Sequence, residues 1–207
     1  MSAEARPLPA EAWALRRATL GMWVFLATEL MFFGPLFFGY WYGRLAFVDA
    51  FFAASRQTDV LLGGINTAVL LASSAFMACA VDALEAGKRR ASPWLLLATA
   101  ALGLAFLGIK GVEYLDDFHK GLYPGGDTRL DSGGRLFFLL YYAMTGVHAL
   151  HLFIGIGVAL VFAFGIARRR PALCDPGRLR VAGLYWHFVD SIWIFLYPIL
   201  YLAGRSG

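Results

Sequence analysis

Gly183-Leu184-Tyr185-Trp186-His187-Phe188-Val189-Asp190-Ser191-Ile192-Trp193-Ile194-Phe195-Leu196-Tyr197-Pro198-Ile199-Leu200-Tyr201-Leu202 is long and apolar enough to cross a bilayer, yet it carries His187 and Asp190. Residues three apart share a helix face. Ionisable groups inside a membrane are costly and by default face protein, water or lipid headgroups. Other helices must therefore supply the neighbours of this pair.

Composition agrees. The 207 residues are 59% hydrophobic and 15% charged, too little charge to cover a soluble surface. The reading is an all-α, polytopic membrane helix bundle with five transmembrane helices at about 19–41, 60–82, 93–115, 136–167 and 181–203. Together, residues 18–204 form the membrane domain behind a surface-lying amino-terminal tail, residues 1–17, which lacks the pattern of a signal peptide. No length is left for a separate catalytic head. Cys79 and Cys174 are isolated, without a Cys-x-x-Cys pair, and indicate neither redox chemistry nor a cysteine metal site. No nucleic-acid motif is present.

The first span holds Glu29 near its middle and Pro35 just beyond it, where the missing backbone donor should bend the helix. In the second, Asn66, Thr67, Ser73 and Ser74 are the polar content. Ser92-Pro93 is expected to cap and start the third, whose far end carries Lys110, Glu113, Asp116 and Asp117. The segment Lys120 to Arg135 is read as a loop because of the turn signals Gly125-Gly126 and Gly133-Gly134. The fourth span contains Thr145, His148 and His151, and its surplus length implies tilt or an extension beyond the membrane. Trp41, Trp94 and Trp186 are expected near span ends as an aromatic belt. Lys and Arg number eleven on the amino-terminal side against seven on the other, which places the amino terminus inside and the carboxyl terminus outside.

The buried ionisable set is thus Glu29, Glu113, His148, His151, His187 and Asp190. Three readings of it stand side by side. The histidines could hold a metal or haem if they converge from different helices. Glu29 and its neighbours could form a proton or ion relay. The same groups could simply hydrogen-bond between helices or hold lipid headgroups.

Five segments in order then resemble subunit III of the haem-copper oxidase superfamily: Gly21-Met22-Trp23-Val24-Phe25-Leu26 through Glu29-Leu30-Met31-Phe32-Phe33; Asn66-Thr67-Ala68-Val69-Leu70-Leu71-Ala72-Ser73; Lys110-Gly111-Val112-Glu113-Tyr114; Thr145-Gly146-Val147-His148-Ala149-Leu150-His151; and Tyr185-Trp186-His187-Phe188-Val189-Asp190 through Trp193. The resemblance implies an accessory subunit of a bacterial cytochrome c oxidase in the inner membrane. Such a subunit holds no haem, copper or other metal of its own and has no catalytic residue. It packs against subunit I, whose partner subunits carry the haem and copper, and binds phospholipid in an interhelical cleft. Glu29 looks like the family's buried, carbodiimide-reactive glutamate, tied to sustained proton uptake. Glu113, His148, His151, His187, Asp190 and Asn66 look like its internal polar and lipid-contact cluster. The chain lacks what would be the first two helices of the longer, seven-helix members. Subunit III of a quinol oxidase and an accessory protein of nitric oxide reductases are similar five-helix forms. A free-standing proton-coupled transporter using Glu29 and Asp190 is the alternative from a different class.

Overall fold

The computed structural model describes residues 10–123 and 131–205, and among them every regular element is helical. The α-helices are α1 (Ala10–Ala46), α2 (Val48–Ser55), α3 (Val60–Glu85), α4 (Ala91–His119), α5 (Ser132–Ala167) and α6 (Pro176–Tyr197). A 3₁₀ turn, Pro171–Leu173, precedes α6, and a π-helical turn, Pro198–Leu202, follows it. Four helices (α1, α3, α4 and α5) are long and apolar enough to cross a membrane. The quoted stretch, on α6 and the turn after it, is not among them, so the expected count of five is matched by four on length and hydropathy. Arg178, Arg180, His187 and Asp190 all fall within α6 and dilute its apolar character. α1 already begins at Ala10, inside the expected tail, and runs on through Pro35.

α3 packs along α4 and α6, α4 also along α5, and α1 lies against α5 and α6. Much of α1 remains uncovered, with Met31 78% and Phe38 72% exposed. Capping follows the sequence at two starts. The Asp59 carboxylate accepts from the Leu61 and Leu62 amides at 2.9 and 3.0 Å, and Asp175, just before Pro176, accepts from Gly177 at 3.0 Å.

Three local expectations are corrected. α4 starts one residue before Ser92, and the Ser92 hydroxyl donates to the Ala80 carbonyl at 2.9 Å, tying α4 to α3 instead of capping its own helix. Gly133-Gly134 belongs to the first turn of α5, where the Asp131 carboxylate caps the Gly134 amide at 2.8 Å. Glycine is needed there because a Cβ on Gly133 would come within 2.6 Å of Ala50 Cβ and 2.7 Å of Phe47 Cβ. Gly125-Gly126 lies outside the described residues. Trp186 is only 1% exposed and donates to Ser73 Oγ at 3.2 Å, so it is a core residue, whereas Trp41 and Trp94 are exposed at 58% and 74%.

Three helices end alike. After α3, Gly87 takes φ +73° and the Lys88 amide reaches back to the Ala83 carbonyl at 2.8 Å; after α4, Gly121 takes φ +73° and Leu122 bonds Asp117 O at 2.9 Å. After α5 the Arg170 amide bonds Gly165 O at 2.9 Å, but the left-handed position is Arg169, at φ +55°. A side chain in that conformation costs roughly 1–2 kcal/mol relative to glycine.

Candidate functional site

On α4, Lys110, Glu113 and Asp117 follow the spacing i, i+3, i+7 and so project from one face. That face meets Tyr141 of α5 and Tyr201 of the π-helical turn. All three charged residues are 2% exposed. The Lys110 ammonium places its hydrogens on Glu113 Oε2 (3.1 Å), Tyr141 Oη (2.8 Å) and Tyr201 Oη (2.5 Å). Both phenols face Glu113 Oε1 in turn, at 2.8 Å from Tyr141 and 2.6 Å from Tyr201. Asp117 Oδ2 lies 3.2 Å from Tyr141 Oη. Aromatic rings close around the cation: its Nζ is 4.4 Å from the centroid of Tyr141, 5.1 Å from Tyr114, 5.2 Å from Tyr201 and 5.7 Å from Trp193. Every ammonium hydrogen is used, so the ion pair is buried with its hydrogen bonds made, the condition under which such a pair is tolerated. This network locks α4, α5 and the carboxyl-terminal turn together.

The carboxyl-terminal turn is held from outside as well. Tyr40 of α1 donates to Ile199 O at 2.6 Å, and Ser55, at the end of α2, donates to Leu200 O at 2.8 Å. These side chains occupy carbonyls at the turn opened by Pro198.

A second arrangement joins α1 to α5. Glu29 Oε2 lies 3.0 Å from His151 Nε2, with side-chain exposures of 17% and 13%. The other ring nitrogen, Nδ1, faces the Val147 carbonyl at 2.8 Å. A carbonyl only accepts, so Nδ1 carries a hydrogen. Nε2 is therefore the ring nitrogen that meets the Glu29 carboxyl group. Tyr185 of α6 donates to His151 O at 2.9 Å, bringing a third helix to the same place.

The third arrangement is the seam of α3 with α6. Tyr197 donates to Val60 O at 3.3 Å, Trp193 Nε1 to Thr67 Oγ1 at 3.0 Å and Trp186 Nε1 to Ser73 Oγ at 3.2 Å. Ser74 Oγ lies 2.6 Å from His187 Nδ1. These contacts descend one helix as they climb the other, as antiparallel neighbours must.

The structure thus disperses the expected polar set. His148 and His151 do not converge: His151 bonds Glu29, while the fully buried His148 ring sits 5.3 Å from Trp193 and 5.5 Å from Phe106. His187 pairs with Ser74, and Asp190, three residues on, is 3% exposed. The side-chain polar atoms of Asn66 and His148 have no hydrogen-bond partner among the described residues. Among those residues no three His, Cys, Asp or Glu side chains gather in a metal-binding group. Sequence reasoning missed Lys110, Asp117, Tyr141 and Tyr201 as a unit. The i, i+3, i+7 spacing on α4 was the available signal for the charged members; nothing local announces the two tyrosines.

Comparison with known proteins places this architecture. The family model for cytochrome c oxidase subunit III matches residues 10–205. This chain belongs to the cytochrome c oxidase subunit III family. It is 30% identical to cytochrome c oxidase subunit 3 of Alkalihalophilus pseudofirmus over 188 residues, covering 91% of this chain and 87% of the relative. With cytochrome c oxidase subunit 3 of Thermostichus vulcanus it shares 33% identity over 189 residues, 90% of this chain and 87% of the relative. Quinol oxidase subunit 3 of Bacillus spizizenii is 27% identical over 211 residues, 97% of this chain and 94% of the relative. The five segments that carry the family resemblance lie on α1, α3, α4, α5 and α6. In this subunit III family member they meet as the Glu29–His151 pair, the α3–α6 seam and the Lys110 network.

Proposed function

We propose that the chain is a non-catalytic accessory subunit of a bacterial haem-copper terminal oxidase, one that oxidises cytochrome c, reduces oxygen and pumps protons. The family match over residues 10–205 carries this reading. The chain acts by stabilising subunit I and sustaining its proton uptake. Haem and copper belong to the partner subunits. The wide apolar face of α1, with Met31 and Phe38 exposed, suits contact with subunit I or with phospholipid. α6 with the π-helical turn serves as the fifth span: its polar groups face α3, so they do not meet the acyl chains. The amino terminus lies on the cytoplasmic side of the inner membrane and the carboxyl terminus outside. Glu29, held against His151, is the carboxyl group that supports proton uptake.

A quinol oxidase is the second reading, favoured by the relative that is alignable over 97% of this chain. Purification of the tagged chain from its native membrane in mild detergent, with an optical spectrum and mass spectrometry of what accompanies it, tests both. Haem-copper subunits with a cytochrome c binding partner are expected. A quinol-type or nitric oxide reductase set of partners would replace the donor assignment. A colourless chain that purifies alone and moves protons in vesicles would establish the transporter instead.

A further inference from the structure

Tyr141 and Tyr201 are wholly buried, and both phenols donate to a single atom, Glu113 Oε1, at 2.8 and 2.6 Å. Their own oxygens are 3.5 Å apart, and Lys110 donates to each. Packing accounts for the rings, and helix locking accounts for hydrogen bonds. Neither requires two phenols to share one carboxylate oxygen, nor a second buried carboxylate, Asp117, to stand 3.2 Å from Tyr141 Oη. One ammonium faces two carboxylates here, so the three ionised side chains sum to one negative charge. Removing one electron brings that sum to zero. Oxidation at this place therefore leaves no unpaired buried charge, the usual obstacle to it inside a protein.

Aromatic rings lead to the pair from two sides. Tyr40 of α1 lies 6.2 Å from Phe137 between ring centroids, and Phe137 stacks on Tyr141 at 6.4 Å with 15° between the planes. On the other side Tyr142 is 5.2 Å from Tyr141 and 4.8 Å from Tyr114, and Tyr142 and Tyr114 border an open groove of about 770 Å³ along α4. The rings thus run from α1 through the buried pair to a surface.

We propose that Tyr141 and Tyr201 form a one-electron redox relay that gives electrons to oxygen-derived oxidants arising in the partner subunits. Tyr141 passes one electron to the oxidant, which is reduced by that electron, and its phenolic proton to Glu113 Oε1, leaving a neutral phenoxyl beside a carboxyl group. Tyr201 then refills Tyr141 with an electron and gives its own proton to Glu113, while Glu113 returns the first proton to Tyr141. The phenoxyl is in this way shared by the pair, and Lys110 keeps a hydrogen bond to each oxygen. A one-electron reductant reaching Tyr142 refills the pair, the proton on Glu113 returns to the phenol, and the chain ends unchanged. The relay rests on the oxygen-reducing part of the reading above and not on which electron donor the oxidase uses.

The test uses the purified native complex with photogenerated ruthenium(III) tris-bipyridine as the oxidant and electron paramagnetic resonance on rapidly frozen samples. A long-lived neutral tyrosyl signal is expected, lost in Y141F/Y201F and kept in Y42F, which removes an exposed phenol outside the cluster. E113Q, whose amide does not take up a phenolic proton, loses the signal as well. In the unaltered chain the signal forms more slowly in deuterium oxide than in water and narrows when the tyrosine rings are deuterated, so the relay is read even where a variant fails to assemble. Y142F keeps the signal but slows its decay with ascorbate. The proposal is overturned if Y141F/Y201F assembles and gives the full signal, if the signal forms equally fast in both solvents, or if Y142F decays like wild type. Hydrogen peroxide added to the oxidised complex should raise the same signal; its failure to do so in a complex that holds haem-copper subunits would overturn the assigned oxidant. Ruthenium(III) acts whether or not those subunits co-purify, so their absence would count against the accessory-subunit reading while the tyrosyl signal still decides the relay.

Discussion

Lys110 Nζ and Glu113 Oε2 stand 3.1 Å apart with side chains almost wholly withdrawn from solvent, and Tyr141 and Tyr201 complete the shell from two other elements. An ion pair so placed is neutral in sum only as long as both partners remain. Removing the cation strands the Glu113 and Asp117 carboxylates together in the interior.

Lys110→Met is therefore expected to destabilise the subunit by about 3–5 kcal/mol, the cost of an uncompensated buried charge. Tyr201→Phe removes one hydroxyl that both accepts from Lys110 and donates to Glu113, and should cost about 1–3 kcal/mol. Thermal denaturation of the purified complex, followed by retention of this chain, checks both. Equal stability of Lys110→Met and wild type would remove the network from any stabilising role.

At the α1–α5 contact, Glu29→Gln keeps a hydrogen-bonding side chain opposite His151 Nε2, whereas Glu29→Leu leaves the ring nitrogen without a partner there. The Gln variant is expected to keep α1 docked, and the Leu variant to loosen it by about 1–3 kcal/mol. Limited proteolysis between α1 and α3 measures the difference. If the two variants are cleaved at the same rate, the 3.0 Å contact does not hold the helix.

Two glycines on α4 should respond oppositely. A Cβ on Gly103 would lie 2.9 Å from Ile156 Cγ1 and 3.0 Å from Trp186 Cη2, while one on Gly108 meets nothing within 4 Å. Gly103→Val is expected to cost about 1–3 kcal/mol by overpacking. Gly108→Ala should be neutral or gain up to about 1 kcal/mol from reduced chain entropy. Melting temperatures of the two variants in one detergent decide the matter.

Asn66 is wholly buried on α3, with neither its Oδ1 nor its Nδ2 bonded to a described residue. Replacing it by the similarly sized Leu breaks no hydrogen bond to a described residue and relieves a desolvated amide, so Asn66→Leu should match wild type or exceed it by about 1–3 kcal/mol. A loss of that size instead would show that the amide is satisfied in the assembled protein.

The polar groups were visible in sequence because each interrupts an apolar run, yet their partners were not. Glu29 and His151 are separated by more than half the chain, and only the packing of α1 on α5 joins them. His148 and His151 share a spacing that suggests one site, but the helix turns one toward Trp193 and the other toward Glu29. Gly133-Gly134 misled for a related reason: glycine serves both turns and close helix contacts, and local sequence does not distinguish a sterically free position from one pressed against Ala50 and Phe47.

Hydropathy over spans of bilayer length determined by itself that the chain is helical and apolar, because a backbone in lipid must satisfy its own hydrogen bonds. The ordered motifs pointed to the subunit III family for the same chain. Only the tertiary structure decided which charges meet. It turned Lys110, noted as a neighbour at a span end, into the centre of a buried network, and it brought Arg169 beside Arg89 and Arg90 across two helix ends. The physical reason is that composition fixes the cost of burying a charge, whereas the direction of each side chain around its helix, and hence its partner, is fixed only when the helices pack.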